Sequence, residues 1–259
     1  MFHEPFRMST VSTSKSARRD SLWDSLLTIV YALILAMGIR FFIAQPFRIP
    51  SGSMQPTLLV GDYIVVTKWT LGYSRFSFEP LNFGWPSGRL FGHEPKRGDV
   101  IVFRPVPQED KDLVKRLIGM PGDRIQMRND RLYINDQPIE RESLGLQTFK
   151  EQSGEFVQIA AFRETLPNGV SYVAFDRESD GRLDDTPVFR VPEGSYFMMG
   201  DDRDNSADSR TPEVSFVPFD HLVGKVQFVF VSFDPATSFL KPWTLFTGLR
   251  TDRLVKGVK

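Results

Sequence analysis

Residues 113–127 read LVKRLIGMPGDRIQM: an apolar run carrying a Lys-Arg pair, a Pro-Gly-Asp break, then a run that mixes apolar and polar residues. Pro fixes the backbone and Gly reaches conformations closed to other residues, so such a break reads as a tight turn between two strands. The same Gly-Asp step precedes β-branched runs in LVGDYIVVTKW (59–69) and KRGDVIVFRP (96–105). This recurrence accounts for the RGD at 97–99 better than an adhesion tripeptide does. Further strand candidates are RLYIND, GVSYVAF, PVFRVP, SYFMMGD and VGKVQFVFVSF, and no comparably long stretch after residue 45 has clean helical periodicity. The expectation is a mainly β, antiparallel domain over residues 45–239.

Upstream of it the chain changes character. Residues 25–39, SLLTIVYALILAMGI, carry no charge, and apolar residues resume after Arg40. The 19 residues from Leu26 to Ala44 are enough to cross a hydrocarbon core as a helix. Lys15, Arg18 and Arg19 form the basic flank typical of the cytoplasmic side. The expected organisation is a cytoplasmic segment at 1–21, a transmembrane anchor at 22–44 and an extracytoplasmic domain beyond. A cleavable signal peptide is the rival reading, with Ala36 and Gly38 as its small-residue pair. Residues 72–97 form an aromatic, Gly- and Pro-rich excursion that either packs on the sheet or touches a bilayer. The tail at 240–259 is basic and amphipathic, either a membrane-surface helix or a frayed terminus.

Composition narrows the chemistry. Lys+Arg and Asp+Glu both number 32, which points away from nucleic acid as a partner. The absence of Cys excludes thiol catalysis, disulfides and thiolate metal sites. The histidines are His3, His93 and His221, none in a motif with an acidic partner, so a Ser/His/Asp triad is not expected.

Two other groups hold reactive residue types. On a strand, Leu113, Lys115 and Leu117 share one face and Val114, Arg116 and Ile118 the other. A lysine placed between leucines can lose about 3 pKa units by burial, roughly 4 kcal/mol, and become a base; the alternative is a charged edge-strand position. The stretch GDDRDNSADSR (200–210) packs four Asp and two Arg into eleven residues, read as internal ion pairs. A hard-cation site at Asp201, Asp202 and Asp204 is disfavoured by competition from Arg203 and Arg210. DRESDGRLDD (176–185) is similar to a calcium loop but has Pro187 where a bidentate Glu is needed, and reads as a solvated hairpin loop.

PSGSMQP at 50–56 is by itself a turn bearing two hydroxyls. Placed directly after an anchor, and followed in order by KRGDVIVF, LVKRLIGMPGDRI and GDDRDNSADSR, it resembles bacterial type I signal peptidase, the membrane-anchored Ser/Lys protease family. The resemblance spans roughly residues 22–235. It implies Ser53 as nucleophile and Lys115 as general base. It further implies Ser51 with the Ser53 amide as oxyanion hole and Ser206 as the group orienting the lysine. Asp208 with Arg210, and Asp201 with Arg116, become structural pairs, while Phe47, Ile49, Leu58 and Val114 line small substrate pockets. It implies no cofactor, no metal and a monomer in the bacterial inner membrane. Its partners would be the bilayer and the signal peptides of exported preproteins, cut after small residues. A single-pass β binding or scaffold module without catalysis is the alternative. The self-cleaving Ser/Lys repressors, with a DNA-binding head, need more chain than precedes this anchor.

Overall fold

The computed structural model describes residues 15–78, 88–151, 154–178, 180–237, 241 and 243–258, with side chains from residue 22 onward. His3 and much of the 1–21 segment lie outside these residues, as does the 79–87 part of the aromatic excursion. The chain divides into two units, Met1–Arg40 and Phe41–Lys259. The first is helix α1 (Lys15–Gly38), which runs on into a π-helical turn, Ile39–Ile43. The span Leu22–Ile43 is long and apolar enough to cross a membrane. Leu22, Leu26, Ile29, Leu33, Ile34 and Leu35 are all exposed, a surface that water disfavours and lipid accepts.

The second unit is antiparallel β, as the strand candidates predict. Its main sheet joins β1 (Ala44–Arg48), β2 (Asp62–Thr67), β3 (Val100–Phe103), β4 (Leu113–Gly119), β12 (Ser195–Met199), β13 (Val217–Pro218) and β14 (Leu222–Ser232) in the order β1-β2-β14-β3-β4-β12-β13. A four-stranded sheet holds β5 (Arg124–Arg128), β6 (Arg131–Ile134), β7 (Gln137–Pro138) and β11 (Phe189–Arg190). A three-stranded sheet holds β8 (Glu140–Lys150), β9 (Phe156–Thr165) and β10 (Ser171–Asp176).

The Gly-Asp steps are one turn used three times. Gly61, Gly98 and Gly122 have φ of 92°, 92° and 84°, a region in which a side chain is strained. At each, the following Asp donates its amide to the carbonyl three residues back, at 3.0 Å from Asp62 to Leu59, Asp99 to Lys96 and Asp123 to Met120. The same Asp carboxylates accept the amides of Leu59 (2.9 Å), Lys96 (2.9 Å) and Met120 (2.7 Å). Each carboxylate then holds a distant cation: Arg253 for Asp62, Lys225 for Asp99 and Arg97 for Asp123. The RGD aspartate is thus committed within the fold.

Apolar alternation on β3 and β4 splits the core. Val100, Val102 and Val114 pack with Ile49, Met54, Leu58 and Ile64, whereas Ile101, Phe103, Leu113 and Leu117 pack with Tyr196 and Met198. Ile118 and Phe197 join Ile125, Met127 and Leu132 between the sheets. Burying each such side chain contributes about 1.5–3 kcal/mol, and truncating Phe197 to Ala costs about 3–5 kcal/mol.

Three features depart from the sequence reading. The β8–β9 hairpin is the longest among the described residues, yet β8 is charged and largely exposed and gives little apolar alternation, while β9 buries Ile159 and Ala161. The loop at 176–185 is solvated only in part: Glu178, Asp180, Arg182 and Asp185 are exposed, but Asp184 is buried and Arg177 reaches Asp202. The tail opens with a short helix, α2 (Trp243–Thr247), whose Trp243 and Phe246 are exposed, and its end is not frayed. Arg253 is buried against Asp62, β15 (Lys256–Gly257) pairs with β14, and Val258 packs on the core. In the aromatic excursion, Tyr73, Phe76 and Phe78 pack, whereas Phe91 is exposed. Tyr73 and Phe78 stack with Phe42 at 6.1 and 5.6 Å, and Phe76 is buried against His221.

Candidate active site

Two segments remote in sequence meet at the site. After β1 the chain turns through 51–55, where Gln55 donates its amide to Gly52 O (2.9 Å) and Leu58 to Met54 O (2.8 Å). These bonds fix the loop, and Met54 and Leu58 anchor it in the core. On β4, Lys115 lies in register with Ile101. Its Nζ is hydrogen-bonded to Ser53 Oγ, and both side chains are buried. Among the described residues Lys115 makes no ion pair. Burial lowers its amine to about 8, although Asp208 and Asp201 pull it upward. An amine so shifted is largely neutral at mildly alkaline pH and can accept a hydroxyl proton. His221 faces Arg104 and Glu109 instead, and His93 is exposed.

Ser51 is exposed at the mouth of the same loop, and among the described residues the Ser53 amide has no acceptor. A cleft of about 150 Å³ runs beside them, lined by Phe47, Ile49, Ser51, Ser53, Val114 and Lys115 among others. Three of the four expected pocket residues line it. Leu58 does not: it is fully buried beneath the loop, where its role is packing.

The aspartates of 200–210 turn outward rather than pairing among themselves. Arg116, fully buried, holds Asp201 through two bonds of 2.8 and 2.7 Å, donates to Gly98 O at 2.8 Å and lies 4.1 Å over the Tyr172 ring. Arg203 pairs with Glu164 of β9, and Arg177 holds Asp202. Only Asp208 and Arg210 pair locally, through two bonds of 2.9 Å. Burial pushes the Asp208 carboxyl up, but Arg210 and the Gly200 amide hold it below its ordinary value. Ser206 donates to Asp208 Oδ2 at 2.8 Å, so its hydroxyl is turned to the carboxylate and not bonded to the Lys115 amine. Gly200 makes the close approach possible: a Cβ there would meet Ser206 Oγ at 2.3 Å and the Ser53 carbonyl at 2.5 Å.

Gln55 and Arg177 carry no sequence signal as site residues, yet Arg177 donates to Gln55 Oε1 at 3.2 Å and so ties the 51–55 loop to Asp202. The Asp202 amide donates to Ser53 O at 3.2 Å. Among the described residues no cluster of His, Asp and Glu suits a metal ion.

A hydroxyl and a buried, unpaired amine in contact beside an apolar cleft have the chemistry of a serine-dependent acyl-transfer hydrolase. The chain matches the family described as signal peptidase, peptidase S26, over residues 22–231, and belongs to it. It is 42% identical over 228 residues to Signal peptidase I of Rickettsia massiliae, covering 85% of this chain and 82% of that one. To Signal peptidase I of Rickettsia typhi it is 43% identical over 227 residues, with the same coverage. A crystal structure of a signal peptidase I from Enterococcus faecalis is 28% identical, with a TM-score of 0.30, over 51% of this chain and 97% of that one.

Proposed function

We propose that this chain is a membrane-anchored serine endopeptidase that removes signal peptides from exported preproteins through a Ser53/Lys115 dyad. The observation that carries the dyad is the hydrogen bond between Lys115 Nζ and Ser53 Oγ in a site where, among the described residues, the lysine has no carboxylate partner. Neutral Lys115 takes the Ser53 proton as Oγ bonds to the substrate carbonyl carbon. The Ser53 amide and the Ser51 hydroxyl hold the oxyanion, each donor worth about 2.7–4 kcal/mol. The tetrahedral adduct collapses, the C–N bond breaks, and the leaving amine takes the proton from Lys115. Water, deprotonated by the same lysine, then attacks the acyl carbon; the ester bond breaks and Ser53 recovers its proton.

Phe47, Ile49 and Val114 give the cleft apolar walls and little volume, which suits small residues before the cut. Ser206 acts through Asp208, whose carboxylate lies among the charges felt by the lysine. Asp201 with Arg116 and Asp208 with Arg210 hold the loops around it. Residues 22–44 serve as the inner-membrane anchor and 45–239 as the extracytoplasmic catalytic domain, acting as a monomer at the lipid surface. The test is processing of a preprotein by the purified chain: Ser53→Ala and Lys115→Ala each abolish it while far-UV circular dichroism stays unchanged. Undiminished cleavage in either variant sinks the mechanism.

A further inference from the structure

We propose that a second cleft, on the Gln55 side of the nucleophile loop, receives the substrate residues that follow the scissile bond; this rests on Ser53 being the nucleophile. The first cleft takes Ser51, Ser53 and Met54 from that loop. Gln55 faces a different cavity of about 430 Å³, lined also by Leu59, Val60, Phe149, Lys150, Glu151, Asp234, Ala236 and Arg250. The two clefts share no residue: Ser53 and Met54 line the first, and Gln55, the next residue along the loop, lines the second. A polypeptide cut in its interior needs room on both sides of the reacting carbonyl, and a cavity of this size holds a peptide segment.

Its walls are tied directly to the loop. Glu151, at the end of β8, pairs with Arg177 at 2.5 Å, and Arg177 donates to Gln55. Lys150 Nζ lies 3.5 Å from Asp234 Oδ2, and Arg250 donates to Val60 O at 2.9 Å. Phe149, Leu59 and Val60 supply apolar surface, and both signs of charge stand around it. This mixed lining differs from the small apolar cleft beside Lys115. It suits the varied, polar beginnings of mature chains, whereas the first suits one kind of small side chain. The β8–β9 hairpin thereby gains a role: its end forms the wall of the leaving side.

Ala236 is exposed at the cavity, so Ala236→Trp fills it without disturbing the core. The full chain in detergent micelles is assayed on two substrates with the same signal-peptide end. One continues for ten residues past the cut, and the other ends in an anilide leaving group. The variant lowers kcat/KM for the extended peptide at least tenfold and leaves the anilide within twofold of wild type. Equal effects on both substrates, or none on either, overturn the cleft alone. A wild-type chain that cleaves neither overturns the reading of Ser53 and the cleft with it. Lys150→Glu supplies an independent reading from an exposed position. It raises the preference for Lys over Glu at the second residue after the cut at least fivefold, and an unchanged ratio overturns the assignment.

Discussion

The main sheet carries two lysines in one cross-strand row, Lys225 on β14 and Lys115 on β4, separated by Ile101 of β3. Lys225 is about a third exposed and pairs with Asp99 at 2.6 Å, so its charge is compensated and partly hydrated. Lys115 is buried against a hydroxyl, and no carboxylate among the described residues bonds to it. The two differ by two strand positions across the sheet, yet one holds a turn together and the other is poised to lose its proton. Residue type decides little here. Desolvation and the identity of the partner decide the chemistry.

The difference is sharpest in activity. On the proposed Ser53/Lys115 mechanism, Lys115→Ala lowers preprotein processing by at least about a thousandfold, whereas Lys225→Ala leaves it within about twofold of wild type. In the wild-type chain, kcat/KM falls about tenfold for each pH unit below about 8, because only the neutral amine accepts the serine proton. A pH-independent rate between 6 and 8 breaks the comparison. Next in size is the buried pair beside it. Arg116→Met leaves Asp201 charged, buried and unpaired, and lowers unfolding free energy by about 3–5 kcal/mol in urea titration.

Lys115 itself opposes folding. Its folded-state amine is lowered to about 8 from an ordinary 10.5. Between those values the unfolded chain binds a proton the folded chain does not, so stability rises with pH there. Below about 8 the cost is fully present, about 3 kcal/mol. Lys115→Met therefore stabilises the chain by about that amount at pH 7, and the gain fades as pH rises toward 10.5. A Lys115→Met variant no more stable than wild type at pH 7 refutes the burial account. The smallest effect belongs to the other lysine: Lys225→Ala changes stability by less than about 1 kcal/mol, since its pair with Asp99 is partly exposed.

Much of this is legible in the chain. LVGD, KRGD and MPGD predict turns before β2, β3 and β5 because a Gly at positive φ and a short carboxylate are what that turn requires. The apolar runs of β3, β4, β12 and β14 predict strands because each buries a continuous face. Strand β8 escapes the same reading, since its exposed polar residues carry no period against a core. The cluster at 200–210 is visible as charge, but its partners are not: Asp201, Asp202 and Arg203 each reach a side chain on another segment. Leu58 looks like a pocket residue by position and is a core residue in fact.

The sequence by itself determines where the Gly-Asp turns fall, which apolar runs are strands, which helix is apolar enough for a membrane, and which residue types are present for chemistry. Those are local properties, set by backbone sterics and by the period of apolar residues. Only the tertiary structure decides that Lys115 is desolvated against Ser53, that Ser206 faces Asp208, and that Arg177 and Gln55 brace the 51–55 loop. The physical reason is that burial and hydrogen-bond partners depend on segments 62 to 144 residues apart closing on one another, as Lys115 on Ser53 and Thr57 on Asp201 do.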